Sequence, residues 1–300
     1  MADGTYEFKL YRYTPSRVAA VIFVILFVLT TAGHVFQLIK RKTWYFIPFV
    51  LGGCFQVIGY VARVLAHNNK ESVPIYSLQT ILILLAPALY AASIYMVLAR
   101  LIVTLNAQHL SLVPVKWMTK IFIVGDVIGF VGQAAGGGIM ASGSISSLKL
   151  GEHITVAGLC VQILFFSIFV AVATVFHRRQ AQAEGSRGLV AVGSTILSHR
   201  TWETLLYALY ATSILIWVRS LFRVIEFAMG NDGFLLRNEV FLYVFDATLM
   251  FLAMVCLNLV HPARFLELKS SLDRTGPVPL VDARRQRETK SGSTSASDMA

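Results

Sequence analysis

Charge is what this chain is short of. Only 14% of its 300 residues are charged, against roughly 25% in a soluble domain, and long stretches carry none at all. A lipid-facing helix must present side chains that lose little on dehydration, and these stretches meet that demand. They are about twice as long as the roughly 10-residue strand of a membrane barrel and do not alternate, so their backbone groups must pair within each segment, as helices do. Cysteine is scarce too. Cys54, Cys160 and Cys256 all fall inside apolar runs, which predicts buried free thiols and no disulfide framework. There is no Asn-x-Ser/Thr acceptor and no usable internal repeat, so N-glycosylation and a solenoid are not expected. The seven histidines show no His-x-x-x-His or His-Glu-x-x-His spacing, and no metal site is expected. No Gly-x-Ser-x-Gly elbow or nucleotide-binding signature appears either, so the chain reads as a protein without a cofactor, ATP hydrolysis or an enzymatic activity of its own. A hydrolase with His109, His177 and His261 at one membrane face is the enzymatic alternative. The net charge of +10 would suggest nucleic acid in a soluble protein. Without a zinc finger, P-loop or aromatic-basic platform it reads instead as loop charge that sets topology and meets anionic lipid.

What is present is a set of seven apolar runs, at about residues 18–39, 46–66, 75–103, 118–141, 153–176, 204–227 and 240–260. At ~1.5 Å per residue, runs of this length match a hydrocarbon core of roughly 30 Å. The fold expected is therefore all-α, a polytopic bundle of seven transmembrane helices over residues 18–265, with an N-terminal segment at 1–17 and a disordered tail at 266–300. The first run is too long for a signal peptide and reads as a retained span. Pro15-Ser16-Arg17 starts it and Lys40-Arg41-Lys42 stops it. Pro87 lies inside the third run, where it removes a bond from the helical ladder and predicts a kink. The fourth run holds Gly125, Gly129, Gly132 and Gly136-Gly137-Gly138, a spacing suited to close helix approach or to an unwound segment lining a cavity.

Seven crossings put the two ends on opposite sides. Of the 26 Lys and Arg residues, 17 fall on the side of the C-terminus and seven on the side of the N-terminus. The positive-inside rule places the N-terminus outside and the C-terminus in the cytosol.

The remaining two basic residues, Arg219 and Arg223, lie within the sixth run. With Glu226 their offsets of four and three put all three on one helical face. An isolated arginine at mid-span costs at least about 2.5 kcal/mol, so acidic partners are expected in the bundle. Asp126 and Asp246 are available, with Gln133 on the face of Asp126 and Glu239 on the face of Asp246 nearer the membrane edge. Counted from the expected helix ends, Asp246 matches the arginines in depth and Asp126 lies lower. Two readings compete: an ion-pair network that only fixes helix register, and a network lining a cavity that meets a polar headgroup. His34, Gln37, Gln56, Gln79 and Gln162 are further polar groups within spans, each suited to a helix–helix contact or, secondarily, to a ligand. Arg63, near the outer end of the second run, is placed to snorkel.

Gly125-Asp126 with Gln133 and the triple glycine, the stretch from Arg219-Ser220 through Phe222-Arg223 to Glu226, Glu239 with Tyr243 and Phe245-Asp246, and the closing His261-Pro262 together resemble the fungal lipid-translocating exporter family. That group takes in the aminocholesterol-resistance and sphingoid long-chain-base exporter proteins of yeast. The resemblance covers roughly residues 18–265, and the Arg-Ser-x-Phe-Arg-x-x-Glu stretch is its most specific part. It implies seven spans, a plasma-membrane or endomembrane location, and export of an amphipathic lipid or resistance to amphipathic toxins. Membrane lipids and such a substrate are then the expected partners, and nothing in the sequence sets an oligomeric state. The resemblance carries over no catalytic residue. A lipid sensor and a haem or porphyrin carrier, with His34 or His67 as axial ligand, are the alternatives. The orientation is directly measurable: an epitope at the N-terminus should be labelled on intact cells, and one at the C-terminus only after permeabilisation.

Overall fold

A computed structural model describes residues 14–69, 72–140, 145–186, 194–229 and 233–263. The expected tail and most of the N-terminal segment lie outside the described residues. Among the described residues, seven helices are long and apolar enough to cross a membrane. The first, α1, covers Arg17–Arg41 and begins at Ser16, whose hydroxyl accepts from the Ala19 N–H at 3.4 Å. It ends where Lys42 turns left-handed at φ 51° and returns its N–H to the Leu38 carbonyl, so an otherwise orphaned carbonyl is satisfied. A single turn, Trp44–Phe46, leads into α2 (Ile47–Ala66).

The next helix, α3 (Val73–Thr104), continues through Pro87, and it is followed by α4 (Val115–Met140). α5 (Ile145–Ser186) and α6 (Ser194–Ala228) both extend beyond their apolar spans, Lys149–Ala183 and Trp202–Ala228. These polar extensions carry no hydropathy signal, which is why the apolar runs understate both helices. A short helix α7 (Phe234–Arg237) precedes the last span, α8 (Glu239–Leu259). Inside α8 the turn Tyr243–Ala247 widens to π-helix, a feature that hydropathy cannot reveal.

The helices pack in chain order, and α8 closes the bundle against α6 and α1. α3 is the hub, touching α2, α4, α5 and α6. Its small and apolar residues, among them Ala86, Ala91, Ile94 and Leu98, lie in the core. By contrast Val18, Ile22, Ile25 and Leu29 of α1 stay exposed, as lipid-facing positions must. Of the three free cysteines, Cys160 is exposed and the other two are half-buried. Burial was expected for all three, but an apolar run does not distinguish a lipid-facing position from a core one.

The glycines of α4 resolve into close packing, not an unwound segment, because the helix continues to Met140. A Cβ on Gly129 would meet the Gly158 carbonyl at 2.8 Å, and one on Gly158 would meet the Gly129 carbonyl at 2.6 Å. Two turns on, Gly136 stands equally close to the Gly151 carbonyl, while Gly137 and Gly138 face open space. Since both obstacles are backbone, neither can rotate away. Gly158→Val should therefore destabilise the purified protein by about 1–3 kcal/mol, read as a lowered melting temperature, whereas Gly137→Ala should not lower it.

Candidate functional site

The interior of the bundle holds a four-residue charge cluster at the α6–α8 contact. From α6, Arg219 donates through Nε to Oδ1 of Asp246 at 2.5 Å. Arg223, one turn on, donates through Nη2 to the other oxygen of Asp246 and through Nη1 to Glu226 at 2.7 Å. Asp246 is fully buried, and Arg219 and Glu226 are no more than 3% exposed. Two guanidinium groups and two carboxylates sum to zero, so the cluster places no net charge in the low-dielectric interior.

Two backbone irregularities serve this cluster. Pro87 has no N–H to give to the Ile83 carbonyl four residues earlier. That freed carbonyl accepts from Nη2 of Arg219 at 3.0 Å. α3 is thereby tied to α6 through a group that regular helix would have consumed. On the other side, Asp246 stands within the π turn of α8, where the Thr248 hydroxyl reaches back to the Tyr243 carbonyl at 2.8 Å. Such single-turn π segments recur at functional sites. Sequence reading missed Ile83, although Pro87 was the available signal: an intrahelical proline leaves the carbonyl four residues earlier in need of a donor.

A second cluster ties the start of the chain to two helix ends. Arg63 is 1% exposed and does not snorkel. It donates to Glu239 at 2.7 Å and to the Tyr243 hydroxyl at 3.1 Å. Glu239 also takes the Ser16 backbone N–H at 2.8 and 2.9 Å, and His67 Nδ1 lies 2.8 Å from the Pro15 carbonyl. Arg63 stays because an acidic partner and a phenol await it inside. Glu239 accordingly belongs to this pairing and does not bond Arg219 or Arg223.

Asp126 stands apart from both clusters. It is 3% exposed, and no arginine bonds it among the described residues. Its Oδ2 accepts from the Tyr95 hydroxyl at 2.9 Å, while its Oδ1 has no hydrogen-bond partner among the described residues. Aromatic rings crowd this region. The Tyr95 ring lies 4.4 Å from that of Phe169, 5.4 Å from Phe122 and 6.1 Å from Phe166. The expectation that Asp126 was a possible counter-ion for the helix-six arginines is corrected: it lies on α4, and its phenol partner comes from α3. Gln133, on the same face, donates to Gln162 of α5 at 2.9 Å. His34 and Gln37 bridge α1 to the backbone of α8 at Met254 and Asn258, both at 3.0 Å. Gln56 and Gln79 are both buried, and neither amide atom of Gln56 has a partner among the described residues.

Fold and interior together define a polytopic helical membrane protein whose spans are joined by buried ion pairs. Residues 49–269 match the family described as RTA1 like protein. The chain belongs to this RTA1-like family of membrane proteins. It is 34% identical to protein RTM1 of Saccharomyces cerevisiae over 83% of this chain and 90% of that one. Protoporphyrin uptake protein 1 of the same yeast is 33% identical over 84% and 91%. A sphingoid long-chain base transporter, RSB1 of Saccharomyces cerevisiae, is 28% identical over 76% and 67%. No solved structure matches the chain.

The neutral cluster makes a specific prediction for stability. Asp246→Asn leaves a net positive charge buried and should cost about 3–5 kcal/mol, seen as a steep fall in melting temperature. Adding Arg219→Met restores neutrality around Arg223 and Glu226, so the double variant should be more stable than Asp246→Asn alone.

Proposed function

We infer that the protein translocates an amphipathic lipid carrying an amine headgroup, such as a sphingoid long-chain base, across a fungal membrane. The observation that supports this reading is the difference between the buried carboxylates. Asp246 is bonded by two guanidinium groups, Glu226 by one and Glu239 by another. Asp126 has no such cation among the described residues. A carboxylate beneath a cluster of aromatic rings is the chemistry that receives an ammonium group, by charge and by cation–π attraction. The relative named as a sphingoid long-chain base transporter supports the same class of substrate.

In this reading the arginine cluster is structural. It holds α3, α6 and α8 in register while the α3–α4–α5 side, where Tyr95 and Asp126 meet, receives the headgroup. The tail of the lipid would remain among the exposed apolar faces of the helices. No bond is made or broken, so the protein acts as a transporter and not as an enzyme, without hydrolysing ATP itself. The plasma membrane is the proposed location, with the N-terminus outside.

A porphyrin carrier is the second reading, favoured by the relative named for protoporphyrin uptake. Its candidate ligand His34 is fully buried beside the stacked rings of Phe46 and Phe49, and its Nε2 lies 3.0 Å from the Met254 carbonyl. A porphyrin would have to displace that bond. A Soret band developing on haem titration would favour this reading.

Liposomes carrying the purified protein and a labelled sphingoid base test the proposal. The protein should accelerate transbilayer movement over empty liposomes, and Asp126→Asn should lower that acceleration about tenfold. An N-acylated analogue, which has no cationic nitrogen, should move no faster with wild-type protein than with the variant. Absence of acceleration for the base would overturn the proposal. Because Asp126 makes no ion pair among the described residues, the variant should melt close to wild type.

A further inference from the structure

A different feature lies at the end of the bundle that carries the α1–α2 and α3–α4 connections. A groove of about 340 Å³ opens between the last turns of α3 and the first turns of α4. Met96, Ala99 and Val103 form its floor along α3, and Val115 faces them from α4. These residues present an apolar slot. Arg100 and Thr119 add a guanidinium and a hydroxyl to the lining.

Arg100 is exposed, yet its guanidinium is braced, lying 4.4 Å from the centroid of the Tyr45 ring. It belongs to neither buried cluster, and no ion pair engages it among the described residues. The surrounding chain is basic. Residues 38–48 and 99–120 hold six Lys and Arg and no Asp or Glu. Lys116 and Lys120 are exposed on α4 beside the groove, and Lys40 and Lys42 are exposed at the neighbouring connection. The first turn of α4 adds backbone N–H groups that have no earlier helical carbonyl to bond, since only the N–H groups of Trp117 and Met118 reach back to Pro114. A helix N-terminus favours an anion.

An apolar slot at the edge of a membrane-spanning bundle, opening beside one braced guanidinium and two connections that hold no Asp or Glu, has the chemistry of a phospholipid site. We propose that this groove binds an anionic phospholipid, its phosphate on Arg100 and Thr119 and one acyl chain against Met96, Ala99 and Val103. The site is separate from Asp126, and it holds whether or not the protein transports an amine-bearing lipid. A lipid seated there would bridge α3 and α4 at their connected ends and add an anionic contact where the connections carry only positive charge.

Native mass spectrometry of the full-length protein tests this, with phosphatidylglycerol and phosphatidylcholine titrated in separate arms. The protein should retain phosphatidylglycerol in preference to phosphatidylcholine. Arg100→Gln should lower phosphatidylglycerol binding about tenfold, towards the level of phosphatidylcholine. Val103→Trp fills the slot while leaving Arg100 in place, and it should reduce retention of both lipids. It carries the test independently if Arg100→Gln fails to fold. The double variant Lys116→Gln, Lys120→Gln should keep most of the preference. An unchanged preference in Arg100→Gln, or an equal loss in the lysine double variant, would assign the effect to diffuse surface charge and overturn the proposal. Displacement of the lipid by inorganic phosphate would overturn it as well, because the groove would then be a simple anion site.

Discussion

Two arginines share one aspartate in a place that water does not reach, and the arrangement of the bundle follows from that sharing. An arginine carried into a hydrocarbon-spanning helix is tolerated only if its charge and its donors are met. Asp246 meets the charge of Arg219 and Arg223 together, and Glu226 completes the count. Because these groups come from α6 and α8, helices that are sequence neighbours across the α7 connection, the pairing fixes both their register and their rotation. Small shifts along either axis would leave a buried charge exposed to lipid, so the cluster penalises alternative packings far more than apolar contacts can.

The same site shows how irregular backbone can be useful inside a membrane. A proline in α3 and a π turn in α8 each depart from the regular ladder, and each departure supplies a position that a regular helix does not offer. The carbonyl freed by Pro87 is bonded by Arg219, so the third helix joins the cluster without contributing a charged residue. At the opposite end of α2 and the beginning of α8, Arg63 and Glu239 perform a similar office and also secure the backbone at Ser16. Polar groups thus connect α1, α2, α3, α6 and α8. The joint between α4 and α5 is made differently, by glycines that bring one backbone against another. Asp126 lies on the latter side, which is where the interior retains an uncommitted carboxylate oxygen.

Much of this was legible in the amino-acid sequence because dehydration is a coarse and strong constraint. Seven apolar runs sufficed for seven helices, and the depth of Asp246 made it the better match for the arginines. Other features were hidden for definable reasons. Arg63 looked like a snorkelling residue because linear distance to a helix end says nothing about a partner on another helix. Asp126 looked like a counter-ion because depth was estimated along the axis, whereas rotation about it directs the side chain towards Tyr95. The length of α5 and α6 escaped because their ends leave the apolar zone while remaining helical. The π turn carries no compositional mark at all.

Membership in the RTA1-like family joins this architecture to relatives whose names refer to a sphingoid base and to a porphyrin, two amphipathic molecules. Among the described residues, the buried ions at Arg219, Arg223, Glu226 and Asp246 are neutralised in place while one oxygen of Asp126 has no hydrogen-bond partner, and the proposed docking of such a molecule rests on that division. An experimental density map of the protein in lipid nanodiscs tests that division most directly. The account predicts the Asp246 carboxylate within hydrogen-bond distance of both Arg219 and Arg223 in a dry interior, with no guanidinium at Asp126. A water-filled space around Arg219, or an arginine seated on Asp126, would contradict it.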